Sequence, residues 1–183
     1  MTKTSSLTST SKFLSLVLRH EPQRIGLQLD TAGWTSVEDL LGKLAQAGHP
    51  LSRESLLHIV ASSDKQRFAL SEDGLSIRAN QGHSVEVELG LPPQVPPAVL
   101  YHGTASRSLD SIRSTGLNRG SRHHVHLTER PDTAVAVGQR YGTPVILRID
   151  SRAMHAAGHI FFCTTNRVWL CDAVPAEFIT LEP

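Results

Sequence analysis

Arg122, His124 and His126 occupy every second position of the segment RHHVHL. In an extended strand, residues two apart share a face, so this spacing puts a guanidinium and two imidazoles on one side and Val125 and Leu127 on the other. Such a face suits an anion or a proton transfer: a guanidinium grips two oxygens at once, and an imidazole titrates near neutrality. A second basic pair, Arg19-His20, closes an apolar helical segment upstream, and Arg67 stands alone in DKQRF. A cation in a last helical turn also suits the helix dipole, so for Arg19 taken alone C-terminal capping is the favoured reading. The functional expectation is that the three groups converge on one polyanionic substrate.

The histidines at 123, 124 and 126 raise the question of a metal. H-x-H on a strand supplies two ligands at most, and neither HExxH nor a CxxC pair accompanies it, so no metal is expected. Cys163 and Cys171 read as small buried hydrophobes rather than nucleophiles. His49, His58, His155 and His159 have no neighbouring constellation and read as structural or solvated. There is no G-x-G-x-x-G and no Walker loop, which excludes nucleotide binding in those two styles.

Composition narrows the class. At 183 residues and 39% apolar content, the chain can build one domain or two small ones. A formal charge of +1 gives no global field toward nucleic acid or membrane, so any such attraction must be local. The nine cations of residues 93–183 are all arginine, whereas 1–92 carries five arginines and all four lysines. Arginine excess favours bidentate recognition of phosphate, although a G/C-rich genome produces the same bias. Two cysteines make no disulfide framework, and neither a signal-peptide core nor a membrane-length apolar run is present, so a cytoplasmic chain is expected. Nothing in the sequence demands more than a monomer.

The elements that must position these residues divide at LPPQVPPA, a proline cluster suited to an extended linker at 91–98. Residues 1–10, rich in Ser and Thr, are expected to be disordered and without function. Ser11 is the expected cap of a helix with Phe13, Leu14, Val17 and Leu18 inward, stopped near Glu21-Pro22. IGLQLD then reads as a strand, Thr35 with Glu38 as a capping box, and Val37, Leu40, Leu41 and Leu44 as the stripe of a second helix. A third helix opens at Leu51-Ser52, and RFAL and LSIRA form a hairpin. Helix, strand, helix, helix, hairpin is the order of a winged helix over 11–90. Its presumed recognition helix offers only Arg53 and His58, which argues against reading a DNA major groove.

Residues 99–183 change to short strands with small helices. VLYH runs into Gly103-Thr104, Ser106 is the expected cap of a short helix, RHHVHLT is a strand, and PDTAVAVGQRYG is a helix. PVILRID, HIFFCT, RVWL and EFITL complete a strand-rich lobe. The chain as a whole reads as α+β, with a sandwich in this half rather than a doubly wound sheet.

FLSLVLRHEPQRIGLQLDTAGW, DKQRF, IRANQGHS, LYHGTA and RHHVHLT, in this order and at these separations, resemble the Tpt1/KptA RNA 2'-phosphotransferases from Ser11 to Leu181. Any one segment is weak evidence; five in order are specific. The resemblance implies an N-terminal winged-helix RNA lobe and a C-terminal ADP-ribosyltransferase-like lobe that takes NAD, with the active site between them. It further implies removal of an internal 2'-phosphate from RNA, typically at a tRNA splice junction, by transfer to NAD. The family's Arg-His-Arg-Arg set falls on Arg19, His20, Arg67 and Arg122, with Arg119 the nearby alternative to the last. His102, Gly103 and Thr104 resemble the first NAD-binding signature of ADP-ribosyltransferases, and His126 and Thr128 complete the implied NAD contacts. His126 stands where many relatives have tyrosine, and an apolar residue near Val168 replaces the glutamate of protein-modifying ADP-ribosyltransferases. Lys65 is a further candidate for charge near Arg67.

Two rivals stand beside this reading. One is an ADP-ribosyltransferase that modifies nucleic-acid or protein ends without removing phosphate. The other is a winged-helix regulator whose second lobe senses a nucleotide, which would bind DNA with strong salt dependence and turn over no NAD.

Overall fold

The computed structural model describes residues 3–63 and 66–182, with side chains from residue 9 onward. Lys65 lies outside the described residues, as do Met1 and Thr2 of the segment expected to be disordered. The chain is α+β and divides into two compact units, Met1–Gly90 and Leu91–Pro183.

The first unit packs α1 (Lys3–Arg19), α2 (Val37–Gln46) and α3 (Arg53–Ala61) with a small antiparallel sheet. That sheet consists of β1 (Thr35–Ser36), β2 (Phe68–Leu70) and β3 (Ser76–Ala79), in the order β1-β3-β2. Leu14, Val17 and Leu18 of α1 meet Leu40 and Leu44 of α2, Leu56 and Ile59 of α3, and Ile77 of β3 in one core. Truncating a residue such as Leu14 to alanine in a core of this kind costs about 2–5 kcal/mol.

Three expectations are corrected here. Helix α1 begins at Lys3, so Ser11 is an interior residue whose carbonyl accepts from the Ser15 hydroxyl. The apolar stripe that starts at Phe13 gave no sign of this polar N-terminal extension. IGLQLD is not a strand: Pro22–Ile25 is a 3-10 turn ended by left-handed Gly26, and Asp30 Oδ1 accepts from the backbone of Ala32 and Trp34. Ile25 and Leu27 are buried without a strand partner, so alternation here reflects burial alone. Helix α2 is capped by Ser36, whose hydroxyl accepts from Asp39 N, one residue beyond the expected capping box.

In the second unit β4 (Leu100–Ala105), β7 (Pro144–Ile149) and β11 (Ile179–Leu181) form one antiparallel sheet in the order β11-β7-β4. A second contains β6 (Val125–Leu127), β8 (Phe162–Cys163) and β9 (Trp169–Cys171) in the order β6-β9-β8. A bridge from Tyr101 to Thr128 joins the two, and β5 (Leu117–Asn118) pairs with β10 (Ala173–Val174). Three helices complete the unit: α4 (Leu109–Thr115), α5 (Pro131–Gly138) and α6 (Ser151–Ala156). Its core gathers Leu100, Leu127, Leu147, Ile149, Met154, Phe161 and Trp169.

Ser106 caps no helix; it opens a 3-10 turn ahead of α4. RHHVHLT is a strand only over Val125–Leu127, while Arg122, His123 and His124 form a bend before it. Gly120 at φ +61° and the bond from Arg122 N to Arg119 O turn the chain there, so alternation does not extend back to Arg122. The proline-rich stretch is tied to this unit: Pro93 bridges Phe162, Gln94 N donates to Phe161 O, and the Ser151 hydroxyl donates to Pro97 O.

Candidate functional site

The first cluster lies at the C-terminal end of α1. His20 N and Glu21 N both donate to Leu16 O and close the helix. Arg19 does not simply cap it. Its Nη2 donates to the carbonyl of Arg67 at 3.1 Å, across 48 residues of sequence. Arg67 O also accepts from Asn80 N at 3.0 Å, and Arg67 N donates to the Ser63 hydroxyl. Gln66, just before, holds a left-handed backbone at φ 39°, a conformation that costs a non-glycine residue energy. Its carbonyl accepts from Asn80 Nδ2, which helps to hold that conformation. Ser84 completes the group: its N–H donates to Arg19 O at 2.9 Å, and its hydroxyl lies 2.9 Å from His20 Nδ1. Arg19, His20 and Arg67 are thus tied to one another through two loops.

Arg53 is exposed at the start of α3, with its Nη2 donating to Gly74 O of the β2–β3 turn. His58 is exposed on the same helix.

The second cluster is built on β4 and β6. His102 and Thr104 share one face of β4, and Gly103 points the opposite way, toward α5. A Cβ on Gly103 would stand 1.7 Å from Ala134 O, so the helix can lie on this strand only over a glycine. Gly103 therefore has a packing reason of its own, beside the NAD contact that the resemblance assigns to it.

His102 Nδ1 lies 2.9 Å from His126 O. A carbonyl only accepts, so Nδ1 carries the proton, and in the neutral ring Nε2 holds the lone pair. Burial pushes the His102 pKa down, the His126 carbonyl opposes that shift, and nearby Arg122 adds to it. Arg122 Nη1 in turn donates to His126 Nδ1 at 3.4 Å, so Arg122, His126 and His102 form a chain. Arg119 uses its Nη1 on His123 O inside the bend.

His124 goes elsewhere. Its Nε2 is 4.0 Å from Asp172, its ring meets Phe162 edge-on, and burial lowers its pKa. The three-residue face expected from alternation is thus a two-residue contact between Arg122 and His126. Thr128 pairs by its backbone with Tyr101, and its hydroxyl accepts from Arg130 N.

His102 and Thr104 line a cavity of about 560 Å³ together with Arg107, Ser108, Ser111 and Asn118. Sequence reading missed these four residues, because Ser and Asn around a short helix look like caps and turns. Val168 falls opposite Thr128 when the β6–β9 register is extended by one pair. Glu129 reaches both its neighbours, accepting from Trp169 Nε1 at 2.8 Å and pairing with Arg167 at 3.2 Å. Burial pushes the Cys171 thiol up to about 12 and raises that of Cys163, so neither is a ready nucleophile. Among the described residues no three His, Cys, Asp or Glu side chains are grouped to hold a metal ion. Among the same residues no helix is long and apolar enough to cross a membrane.

The profile of the family described as RNA 2'-phosphotransferase, Tpt1 / KptA family matches residues 5–173. A protein of Pseudomonas aeruginosa (strain UCBPP-PA14) named probable RNA 2'-phosphotransferase is 57% identical over 175 residues, covering 95% of this chain and 96% of that protein. Relatives of the same name from Hahella chejuensis and Nostoc punctiforme are 54% and 51% identical, each over 96% of this chain and over 94% and 97% of their own lengths. With nearly its whole length matched, the chain belongs to the Tpt1/KptA family.

Proposed function

We propose that the protein is an NAD-dependent RNA 2'-phosphotransferase, in which a winged-helix RNA-binding first unit and an ADP-ribosyltransferase-like second unit serve one reaction. The observation that carries this reading is the first cluster: of the three residues assigned to one phosphate by resemblance, Arg19 bonds the Arg67 carbonyl directly, and Ser84 links His20 to Arg19 O. Family membership supplies the reaction class.

The reaction has two steps. The RNA 2'-phosphate attacks C1'' of the NAD ribose and displaces nicotinamide. The ribose 2''-hydroxyl then attacks the phosphorus, releasing 2'-hydroxyl RNA and ADP-ribose 1'',2''-cyclic phosphate. The first nucleophile is already ionised and the leaving nicotinamide is neutral, so neither a strong base nor an acid is required. This fits an apolar residue near Val168 where protein-modifying relatives of the fold have glutamate.

Holding a dianion close to the pyrophosphate of NAD is the harder task. Planar guanidiniums grip phosphate oxygens in pairs and keep their charge at any physiological pH. Arg19, Arg67 and Arg122 take this role, and they stabilise the charge that gathers on the transferring phosphoryl group in the second step. His20 orients the phosphate or moves the proton lost by the attacking hydroxyl and needed by the departing 2'-oxygen.

The second unit's cavity suits the nucleotide. Its Arg107 and its serine, threonine and asparagine groups offer a cation and hydrogen bonds, and His102, with Nδ1 donated to His126 O, stays neutral beside them. His102, Gly103, Thr104, His126 and Thr128 are the assigned NAD contacts. The RNA is of the tRNA splice-junction type, and the protein works in the cytoplasm as a monomer without a metal.

The test is to incubate the protein with a short RNA bearing one internal 2'-phosphate, with and without NAD, and to follow RNA and nucleotide products. NAD-dependent 2'-hydroxyl RNA with the cyclic-phosphate product is expected. RNA that gains ADP-ribose and stops there would favour the end-modifying transferase instead, and absence of any reaction would favour the nucleotide-sensing regulator.

A further inference from the structure

Ser84 lies in IRANQGHS, a segment to which the mechanism above gives no task. After β3 this segment touches the first cluster twice. Asn80 holds Arg67 O and Gln66 O, and four residues on Ser84 reaches Arg19 O and His20. Between them His83 is only 3% exposed, packed near Gly33. The path of the loop is therefore set by a buried ring and by backbone bonds. The exposed Ser84 hydroxyl is not needed to hold it.

We propose that Ser84 is a positioning residue for the reaction, its hydroxyl orienting the His20 ring through Nδ1 so that proton exchange with substrate falls to Nε2. This rests on the phosphotransferase reading and on His20 being the group that moves a proton. The hydroxyl is suited to that task because it both donates and accepts. It can donate to an unprotonated Nδ1 or accept from Nδ1–H, so the 2.9 Å contact survives a cycle of protonation by rotation of one O–H bond. A carboxylate at the same place would only accept, and would bias the ring toward its charged form. Among the described residues, Arg19, Arg67 and the neighbouring Glu21–Arg24 ion pair, 3.0 Å apart, carry charge on the same segments and are left in place by a change at position 84.

Ser84→Ala removes the side-chain contact while its backbone bond to Arg19 O remains possible. Ring ¹⁵N NMR of the full chain, with His20→Gln as assignment reference, reads the tautomer and titration of His20 without RNA. Ser84→Ala is expected to change the His20 tautomer ratio. In single-turnover assays it should slow the second step about tenfold and distort its pH profile, with KM for RNA unchanged. Ser84→Thr, which keeps the hydroxyl, should restore the rate to within about threefold of wild type. An alanine variant with the wild-type His20 spectrum and pH profile would overturn the proposal. So would a threonine variant as slow as alanine. Should Ser84→Ala not fold, Ser84→Cys, with a weaker hydrogen-bonding group of similar shape, is read the same way. The two claims fail separately: lack of RNA dephosphorylation by the unsubstituted protein sinks the phosphotransferase reading, and an unchanged ring spectrum sinks the role of Ser84 whatever the activity.

Discussion

Arg19 and Arg67 are joined through main chain, with the Arg19 guanidinium on the Arg67 carbonyl and neighbouring loop amides on the carbonyls of both residues. Arg122, in the second unit, meets another side chain instead, a histidine at 3.4 Å, from an exposed bend. The first arrangement is fixed by backbone that most substitutions leave unchanged. The second depends on the identity and protonation of an imidazole, and His102, which bonds the carbonyl of that histidine, stands on β4, a strand whose opposite side must be bare of side chain at Gly103. One cluster is therefore vulnerable in its loops and the other in its packing.

The largest effect expected from this contrast comes from Gly103→Ala. A methyl group aimed at Ala134 O from 1.7 Å must push α5 off β4, with no flexible side chain to give way. Overpacking against rigid backbone should lower stability by about 3 kcal/mol or more, read from urea midpoints. A variant as stable as wild type would show that α5 can slide, and that the glycine is there for a ligand.

Arg67→Lys probes the other side. Because the bonds that frame the first cluster use the backbone of Arg67, lysine leaves the frame intact and changes only the group offered to phosphate. Charge is kept and the planar fork is lost, which should slow the second step about tenfold to a hundredfold and let ADP-ribosylated RNA accumulate. Turnover equal to wild type would remove the Arg67 side chain from the mechanism. Arg122→Lys is not an equally clean experiment, since it also alters the contact with His126.

The same contrast explains what the sequence disclosed. Residue type and helical stripe were enough for α2, α3 and the β2–β3 hairpin, because Leu40, Leu44, Leu56 and Ile77 are core residues at regular spacing. IGLQLD misled because Ile25 and Leu27 are buried from an irregular loop, and burial alone imitates a strand. Alternation groups Arg122, His124 and His126 on one face, yet the strand begins only at Val125, and His124 lies against Asp172. Period-two reasoning has no means of seeing a bend built on Gly120 and a carbonyl bond. Ser84 and Asn80 were visible only as part of a motif. What they do is long-range hydrogen bonding, which leaves no period in a sequence.

The smallest effect expected is in pH dependence, and it belongs to the second unit. The His102 pKa is lowered in the fold by burial, partly offset by the His126 carbonyl and reinforced by Arg122, from an ordinary value of 6.5. Below that pH the unfolded chain takes up a proton that the folded ring refuses. Stability should then fall as pH drops from 6.5 toward the folded-state value, and should gain nothing further from this group above 6.5. His124, also lowered by burial, adds to the loss with the same sign. Urea midpoints of wild type and His102→Asn between pH 8 and 5 would read the His102 share as a shallower acid loss in the variant. Equal slopes would mean that the His102 ring protonates in the folded chain as readily as in the unfolded one. The neutral, Nδ1-protonated ring inferred from its contact with a carbonyl would then be wrong, and the comparison between a backbone-held cluster and a protonation-dependent one would lose its second half.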